Sequence, residues 1–499
     1  MDEKTGNAAT PDCHESVIHN SVGSVTHVSN DPVTRDSFKP ITPESFDQIS
    51  SDLFNSTAQD SVHSVTLDTE ACRGCITCVK RCPTEAIRVR DGKAQILTER
   101  CIDCGECIRV CPYHAKRAVT DSIDELKRFE YKIALPPPSF YGQFRNLDEI
   151  ETVLGALTAI GFDEVFEVSK AAELVSDATR KLLEEGNLLR PVISSACPAI
   201  LRLIRVRFPQ LLVNVLPINA PVEIAARMAK DAASRRTGIP RDKIGTVFLT
   251  PCPAKVSAAK MPLGTTKSDI DLLVSVSEIY PLLLGAMKDH LGAKDAVLSS
   301  GRIGIGWGRS GGEASATLKE RYLAADGIEN VIKILEHLED EKISYVDFIE
   351  LNACSAGCVG GVLNVENPYV AVARLKRLRE YQPVSCNNLE DDIPSAMLWE
   401  QAVSPSDVMR LGGNSAEAFE QMKALEEIQS RLYGLDCGSC GAPSCEALAE
   451  DIVRGLAKED SCIYVLKEKV ESVMRDIMSL SLQNPQRNRS EEPITETDI

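Results

Sequence analysis

The chain has 499 residues, more than one hydrophobic core ordinarily supports, and its 43% apolar and 26% charged residues are typical of a globular protein. A net charge of −18 argues against nucleic acid or anionic membranes as partners, although it suits a basic redox protein. There is no secretory or twin-arginine signal and no unbroken apolar stretch of about 20 residues. The sequence therefore predicts a cytoplasmic protein without a membrane span.

The chain contains 18 cysteines, a count that in a reducing compartment indicates metal binding rather than disulfides. All of them except Cys13 and Cys386 fall into three groups with regular spacing. We expect these two to be ordinary thiols.

Residues 1–60 are rich in Ser, Thr, Asp and Asn and predict a disordered tail, and residues 61–125 predict a ferredoxin-like α+β domain. In that domain a Cys-x2-Cys-x2-Cys-x3-Cys-Pro run occurs twice, and Asp91-Gly92 predicts a hairpin turn between the copies. In bacterial two-cluster ferredoxins the fourth cysteine of each run ligates the other cluster. One [4Fe–4S] cluster would take Cys72, Cys75, Cys78 and Cys111, and the other Cys101, Cys104, Cys107 and Cys82. Zinc is the alternative metal for these cysteines, and two complete runs, each followed by proline, argue against it.

Residues 126–410 alternate short apolar runs with helical patterns, which predicts an α/β domain. Three of the runs lead into cysteines, which places the cysteines at the carboxyl ends of strands, where open α/β sheets bind ligands. The predicted strands are Tyr131–Leu135, Glu164–Val168, Pro191–Ser194, Lys243–Leu249, Arg302–Ile305 and Tyr345–Leu351, and the predicted helices include Leu147–Ile160 and Ala171–Glu185. The glycines between Gly304 and Gly312 lack the Lys-Ser/Thr of a phosphate-binding loop and predict close packing instead.

The cysteines of this domain occur in three distinctive contexts. These are Ser194-Ser195-Ala196-Cys197-Pro198, Thr250-Pro251-Cys252-Pro253-Ala254-Lys255 and Asn352-Ala353-Cys354-Ser355-Ala356-Gly357-Cys358-Val359-Gly360-Gly361. A lone cysteine is most often a buried thiol. In this order, behind a two-cluster ferredoxin module, the three motifs resemble those of the [FeFe] hydrogenases.

The resemblance implies an H-cluster, a [4Fe–4S] cubane joined to a diiron subsite that carries CO, cyanide and a bridging dithiolate. It assigns Cys197, Cys252, Cys354 and Cys358 to the cubane, with Cys358 bridging to the diiron subsite. Lys255 stands where the family's lysine donates to a cyanide, and the alternative for it is a solvated surface lysine. Pro138 and Ser139 would lie near the diiron pocket, and Gly357, Gly360 and Gly361 would let the backbone approach the cofactor.

The sequence differs from those of fast hydrogenases at the positions that transfer protons in those enzymes. Ala196 replaces the family's proton-relay cysteine, and alanine has no exchangeable proton. Thr250 and Asn352 replace two methionines that pack on the diiron subsite. The outer relay is also altered, with Leu216 near the place of its serine and only Glu173 and Asp177 near its glutamates. This pattern resembles the sensory or slow-turnover branch of the family.

Residues 411–483 predict a small, mainly helical module with a third [4Fe–4S] cluster, and residues 484–499 predict a disordered tail. The ligands of this third cluster would be Cys437, Cys440, Cys445 and Cys462. Their pattern resembles modules of corrinoid iron–sulfur proteins and membrane electron-transfer complexes. After Cys462, apolar residues spaced alternately by three and four predict a short heptad seam. This seam would bind a second copy of the chain or a signalling partner, or it would pack on its own domain.

The sequence predicts a slow, reversible hydrogen enzyme that interconverts H₂ with two protons and two electrons and reports hydrogen or redox state. Its partners would be a redox protein such as ferredoxin and the maturation proteins that build the diiron subsite. Two alternatives carry only cubanes, namely a non-catalytic iron–sulfur assembly protein and an electron-transfer adaptor. Infrared bands of iron-bound CO and cyanide distinguish the enzyme from both.

Overall fold

The computed structural model describes residues 63–145, 147–289 and 297–483. Both predicted tails lie outside these ranges. Within them, no helix combines the length and the apolar character needed to cross a bilayer.

The strands are β1 (Val65–Leu67), β2 (Ile87–Arg90), β3 (Lys93–Ile96), β4 (Lys116–Ala118), β5 (Tyr131–Leu135), β6 (Glu164–Val165), β7 (Val192–Ile193), β8 (Ile244–Thr250), β9 (Leu272–Ser275), β10 (Tyr322–Asp326) and β11 (Phe348–Asn352). The helices before residue 270 are α1 (Thr77–Lys80), α2 (Glu106–Arg109), α3 (Pro138–Tyr141), α4 (Ile150–Ala159), α5 (Val168–Glu185), α6 (Pro198–Arg207), α7 (Pro221–Thr237) and α8 (Pro253–Lys260). The later helices are α9 (Val276–Asp289), α10 (Arg302–Gly306), α11 (Gly312–Ala316), α12 (Ile328–Glu339), α13 (Pro368–Leu378), α14 (Ser415–Arg431), α15 (Cys445–Val453) and α16 (Ile463–Gln483).

The described chain divides into two compact units. The first contains residues 63–66, 98–109 and 116–408, and the second contains residues 67–97, 110–115 and 409–483. The first unit is of α/β type and the second combines a hairpin with helices, which confirms the predicted fold class. The domain boundaries at residues 61–125, 126–410 and 411–483 stay predictions.

The larger sheet of the first unit has the strand order β6-β5-β8-β9, and all of its strands are parallel. Every residue of β8 is buried, as expected for a central strand covered on both faces. Ala134 and Val247 point to a core formed with α4 and α9, whereas Ile133 and Phe248 point to a core formed with α5 and α7. The alternation follows the two-residue period of a strand.

The second sheet of this unit has the parallel order β10-β11-β7, and its core contains α6 and α12. The predicted strand Arg302–Ile305 is wrong, because these residues form α10. A Cβ on Gly304 would lie 2.2 Å from the carbonyl oxygen of Ser169, so this glycine allows α10 to pack directly on α5. Short apolar runs do not by themselves separate a buried helix from a strand.

The outer strands were the least predictable. The predicted strand Glu164–Val168 is shorter than expected, because Val168 already begins α5. The prediction also missed β9 and β10, which lie at the edges of their sheets.

In the second unit, β2 and β3 pair antiparallel with Ile87 opposite Ile96, as predicted. Asp91 and Gly92 have φ values of 52° and 69°, the left-handed conformations that a type I′ turn requires. The helices α14 and α15 form a small core around Leu425, Ile428 and Leu448.

The last helix, α16, presents the predicted apolar seam to solvent. Its seam residues are Ile463, Leu466, Val470, Val473, Ile477 and Leu480, with exposed fractions from 45% to 65%. Among the described residues no hydrophobic core covers this face of the helix, so packing on its own domain does not account for the pattern.

A buried ion triad connects the hairpin with α15. The Asp451 carboxylate lies 2.7 Å from both Arg88 Nε and Arg90 Nη2, and the side chains of Asp451 and Arg88 are only 3% and 4% exposed. Removing one partner of such a group leaves buried charge uncompensated.

We expect Asp451→Ala to lower the free energy of unfolding of the second unit by about 3–5 kcal/mol in urea denaturation. Glu471→Ala is the control, because Glu471 lies in the same unit and pairs with Lys467 where the two side chains are 49% and 73% exposed. That control should lose less than about 1 kcal/mol. Equal losses in the two variants would contradict the assignment of the triad as a buried anchor.

Candidate iron–sulfur active site

The central cysteine motifs follow three strands that belong to the two parallel sheets of the first unit. Cys197 comes after β7, Cys252 after β8 and Cys354 after β11, as the sequence predicted. Cys197 and Cys252 are also the N-cap residues of α6 and α8. The partial positive charge of each helix N-terminus therefore lies beside a thiol and favours its anionic form.

Lys255, on the first turn of α8, lies beside these thiols. Its Nζ is 3.8 Å from Cys358 Sγ, and it also interacts electrostatically with Cys252, Cys197 and Cys354. Burial disfavours the charged ammonium, but the four thiolates outweigh it and raise the pKa of Lys255 well above its ordinary value. Lys255 is partly buried, and its role toward a cofactor stays a prediction.

The four cysteines are partly buried, and their thiols affect one another. Burial, together with the charges of Cys358 and Cys197, raises the pKa of the Cys252 thiol to about 11, although Lys255 opposes the rise. Burial likewise raises the pKa of Cys354 and Cys358. Such thiols become anionic when a metal replaces their protons. The structure thus brings the four predicted ligands into one electrostatically coupled group.

The glycines of the third motif are needed for contacts within the protein. Gly357 has a φ of 88°, and a Cβ on it would lie 2.4 Å from the Ser310 nitrogen. A Cβ on Gly360 or Gly361 would come within 2.2 Å of a backbone carbonyl oxygen. These glycines allow the loops around Cys358 to pack backbone against backbone, and their contact with a cofactor stays a prediction.

A cavity of about 60 Å³ adjoins this group, and we name it the Cys358 cavity. Its lining includes Pro138, Ser139, Ala196, Lys255, Glu313 and Cys358. Among the described residues, the fully buried Ser139 Oγ has no hydrogen-bond partner. A cavity with one unpaired hydroxyl, one buried ammonium and one cysteine suits an anionic metal group.

Two carboxyl groups that the sequence analysis missed, Glu313 and Glu350, also line this cavity. Glu350 accepts hydrogen bonds from Gly311 N, Ala314 N and Asn352 Nδ2, whereas Glu313 Oε2 accepts one, at 2.6 Å, from Ser194 Oγ. Burial and the neighbouring Glu350 charge raise the pKa of Glu313. Three donors stabilise the Glu350 carboxylate, whereas the raised pKa of Glu313 favours its neutral form.

The residues near the expected outer relay have structural roles. Glu173 accepts hydrogen bonds from backbone nitrogens of Gly301, Cys386 and Asn387, and Asp177 pairs with Arg180 at 2.8 Å. Leu216 is buried in the core around α5 and α7. Cys386 was expected to be an ordinary thiol, which is wrong, because it is disulfide-bonded.

The second ferredoxin-like run is anchored to the helices that begin at Cys197 and Cys252. Asp103, within this run, lies 3.1 Å from Arg202 on α6 and 2.7 Å from Ser257 Oγ on α8. Burial opposes its ionisation, but hydrogen bonds from His63 and Ser257 and the charges of His63 and Arg202 lower the pKa of Asp103.

A second link comes from Arg109, two residues after Cys107. Its Nη2 donates to the Gly360 carbonyl oxygen at 2.8 Å, and its charge lowers the pKa of Cys354. Cys101, Cys104 and Cys107 are thereby held close to the central group within the first unit.

The second unit carries further cysteines. Backbone N–H groups of Ala94 and Ala115 donate to the sulfurs of Cys72 and Cys111, as is common around iron–sulfur clusters. A small cavity is lined by all four predicted ligands of the third cluster, Cys437, Cys440, Cys445 and Cys462.

Three families match the chain. Residues 130–324 and 309–362 match the iron only hydrogenase large subunit, C-terminal domain. Residues 64–112 match the 4Fe-4S dicluster domain, and residues 432–464 match a family described as a putative Fe-S cluster.

Among curated proteins, the chain is 24% identical over 258 residues to the NADP-reducing hydrogenase subunit HndD of Solidesulfovibrio fructosivorans, covering 41% of this chain and 44% of that protein. It is 24% identical over 262 residues to iron hydrogenase 1 of Clostridium pasteurianum, covering 43% and 46%. A cytosolic Fe-S cluster assembly factor NAR1 homolog of Schizosaccharomyces japonicus is 28% identical over 127 residues, covering 25% and 24%. The chain thus spans less than half the length of each of these relatives.

Among solved structures, a variant of the [FeFe]-hydrogenase HydA1 from Chlamydomonas reinhardtii aligns with a TM-score of 0.39 and 18% identity, covering 51% of this chain and 86% of that one. Another [FeFe]-hydrogenase structure aligns with a TM-score of 0.44 and 17% identity, covering 57% and 96%. Over residues 130–362 the chain is therefore similar to the iron only hydrogenases, and two further segments match iron–sulfur families.

Proposed function

We propose that this protein is a hydrogen enzyme of the [FeFe] type that interconverts H₂ with two protons and two electrons at low turnover and serves to sense H₂ or redox state. The proposal depends on the group of four partly buried thiols that interact with Lys255, whose Nζ lies 3.8 Å from Cys358 Sγ. One lysine beside four thiols suits a single anionic metal centre.

The residues suited to hold that centre are Cys197, Cys252, Cys354 and Cys358, and Cys358 also lines the Cys358 cavity, which would lie beside a diiron subsite. When bound, the H-cluster would supply the metal chemistry that splits and forms H₂. Lys255 would hold its proton at Nζ and donate to the anionic group. Ser139 Oγ supplies a further buried hydroxyl in the same cavity.

Electrons would enter through the ferredoxin-like clusters. The links from Asp103 and Arg109 support this route, because they fix the Cys101–Cys107 run beside the central group. The third cluster, on Cys437, Cys440, Cys445 and Cys462, would extend the relay. A redox protein such as ferredoxin would be the electron partner.

Proton transfer is where this chain differs from a fast hydrogenase. Ala196 offers no exchangeable proton, whereas Glu313 holds one at the wall of the same cavity. The Ser194 hydroxyl, 2.6 Å from Glu313 Oε2, also accepts from Ala196 N and so places Glu313 beside the altered position. A carboxyl group set back from the reacting centre supports slow rather than fast turnover.

The decisive experiment is infrared spectroscopy, with an H/D exchange assay, on anaerobic protein produced together with hydrogenase maturation proteins. We expect bands of iron-bound CO and cyanide and measurable exchange. A known [FeFe] hydrogenase matured in parallel is the control. If only the control shows bands, an assembly or adaptor role takes precedence, in line with the similarity to the NAR1 homolog.

We expect Ala196→Cys to raise hydrogen evolution by about 10²-fold, the lower end of what a positioned proton donor contributes. Ala196→Val is the matched control, because it adds similar volume without an exchangeable proton, and it should give no gain. An unchanged rate in Ala196→Cys with intact CO and cyanide bands would show that the missing thiol does not limit turnover.

We also propose that α16 pairs with α16 of a second copy as a parallel coiled coil. Its a positions are Ile463, Val470 and Ile477, and its d positions are Leu466, Val473 and Leu480. β-Branched residues at a combined with leucine at d favour parallel dimers. The exposed seam is therefore suited to an identical helix.

Sedimentation of the full chain should show a dimer, and Val470→Glu should shift it to the monomer, because a buried charge at an a position is unpaired in the dimer. Arg475→Ala, outside the seam, should leave the dimer intact. A monomeric wild type, or a Val470→Glu variant that still dimerises through this helix, would contradict the seam. Spin labels at Ser472 would separate parallel from antiparallel pairing by their distance.

A further inference from the structure

A second cavity of about 60 Å³ lies on the other side of Ala196, and we name it the Glu223 cavity. Four residues line both this cavity and the Cys358 cavity, namely Ala196, Ala220, Val222 and Lys255. Because residue 196 contributes only a methyl group, the partition between the two cavities is thin at that point.

The Glu223 cavity suits water. A volume of about 60 Å³ exceeds the roughly 10–15 Å³ that one water requires. Its wall also offers several polar groups as hydrogen-bond partners for water, which are Ser195, Arg202, Asn219, Glu223, Lys255 and Thr265.

Glu223 combines access to solvent with access to this cavity. It lies in the first turn of α7, is partly exposed and contributes to the cavity wall. Its carboxylate oxygens accept from Ser268 Oγ at 2.8 and 2.9 Å, and one also accepts from Asp269 N at 3.3 Å. These bonds hold the carboxyl group in place without a direct ion pair within the described residues.

We infer that Glu223 is the outer proton carrier of this protein. It takes protons from solvent and passes them through water in the Glu223 cavity to the wall at Ala196, which this cavity shares with the Cys358 cavity. The inference rests on the proposed function. The carboxyl O–H bond breaks as the proton moves to a cavity water, and the resulting carboxylate takes a new proton from solvent. No electrons are exchanged in this step.

The electrostatics support such a carrier. Burial raises the pKa of Glu223 to about 7 and the Asp269 charge adds to the rise, whereas the hydrogen bonds and the Arg227 charge oppose it. A carboxyl group with that pKa gives and takes protons readily at neutral pH. The other charged groups around it are Glu400, which pairs with Arg227, and Arg202 and Lys255 across the cavity.

The test is the pH profile of hydrogen evolution in Glu223→Gln, which keeps the shape and the acceptor oxygen but carries no titrating proton. We expect the rate to fall by about 10²-fold and the inflection near pH 7 to disappear. Glu184→Gln is the control, because Glu184 is an exposed partner of Lys319, and it should behave as the wild type. Glu313→Gln should lower the rate but keep the inflection near pH 7.

A second readout does not depend on turnover. In the full chain produced without maturation proteins, a carboxyl infrared band should titrate near pH 7 in the wild type and vanish in Glu223→Gln. Ala196→Leu thickens the wall between the two cavities and leaves Glu223 in place. This variant should slow hydrogen evolution while retaining that band. This variant also tests the route if Glu223→Gln fails to fold.

The outcomes separate the two proposals. CO and cyanide bands in every variant, with an unchanged rate and pH profile in Glu223→Gln, would overturn the route alone. Absent bands in the matured wild type would overturn the proposed function and the route with it. A titrating carboxyl band near pH 7 that persists in Glu223→Gln would also overturn the assignment of Glu223.

Discussion

The positive charge of Lys255 lies 3.8 Å from Cys358 Sγ and interacts with three further cysteines, and the rest of the site surrounds that contact. A buried ammonium is unfavourable unless anionic groups surround it. Within the described residues it forms no ion pair with a carboxylate, and its close partner is Cys358 Sγ. The thiols come from three loops distant in sequence. These loops follow β7 and β11 of one sheet and β8 of the other. An anionic metal centre on the thiols would balance the charge that burial disfavours.

The residues that could transfer protons depart further from those of fast hydrogenases than the predicted metal ligands do. The ligands, the lysine and the electron-relay cysteines are complete, whereas residue 196 offers only a methyl group. Carboxyl groups lie on both sides of that methyl group, Glu313 in the Cys358 cavity and Glu223 in the neighbouring one. Burial raises the pKa of both carboxyl groups above the ordinary value. In the proposed function these carboxyl groups, rather than a thiol at residue 196, would carry the protons.

Buried polar contacts hold the cysteine-rich loop around Asp103 in place. Asp103 binds side chains on the two helices that start at Cys197 and Cys252, and Arg109 binds the loop after Cys358. These charged bonds fix a cysteine-rich loop that has few apolar residues of its own. A similar device operates inside the second unit, where Asp451 joins the hairpin to α15 through Arg88 and Arg90. Buried charge pairs therefore hold the cluster-bearing segments where the loops are too short to form cores.

The sequence by itself determined the cysteine groups, the hairpin at Asp91-Gly92, the strands β5 and β8 and the family resemblance, because each depends on residues close together in the chain. It did not reveal α10, since a short apolar run suits a strand as well as a buried helix. Nor could it reveal Glu313, Glu350 or Glu223, because a carboxyl group acquires a raised pKa only from burial and from neighbours distant in sequence. The roles of Glu173 and Asp177 were likewise decided by tertiary contacts, which bind them to backbone and arginine groups. Local spacing fixed which residues can hold metal, and only the folded chain fixed which acids can carry protons.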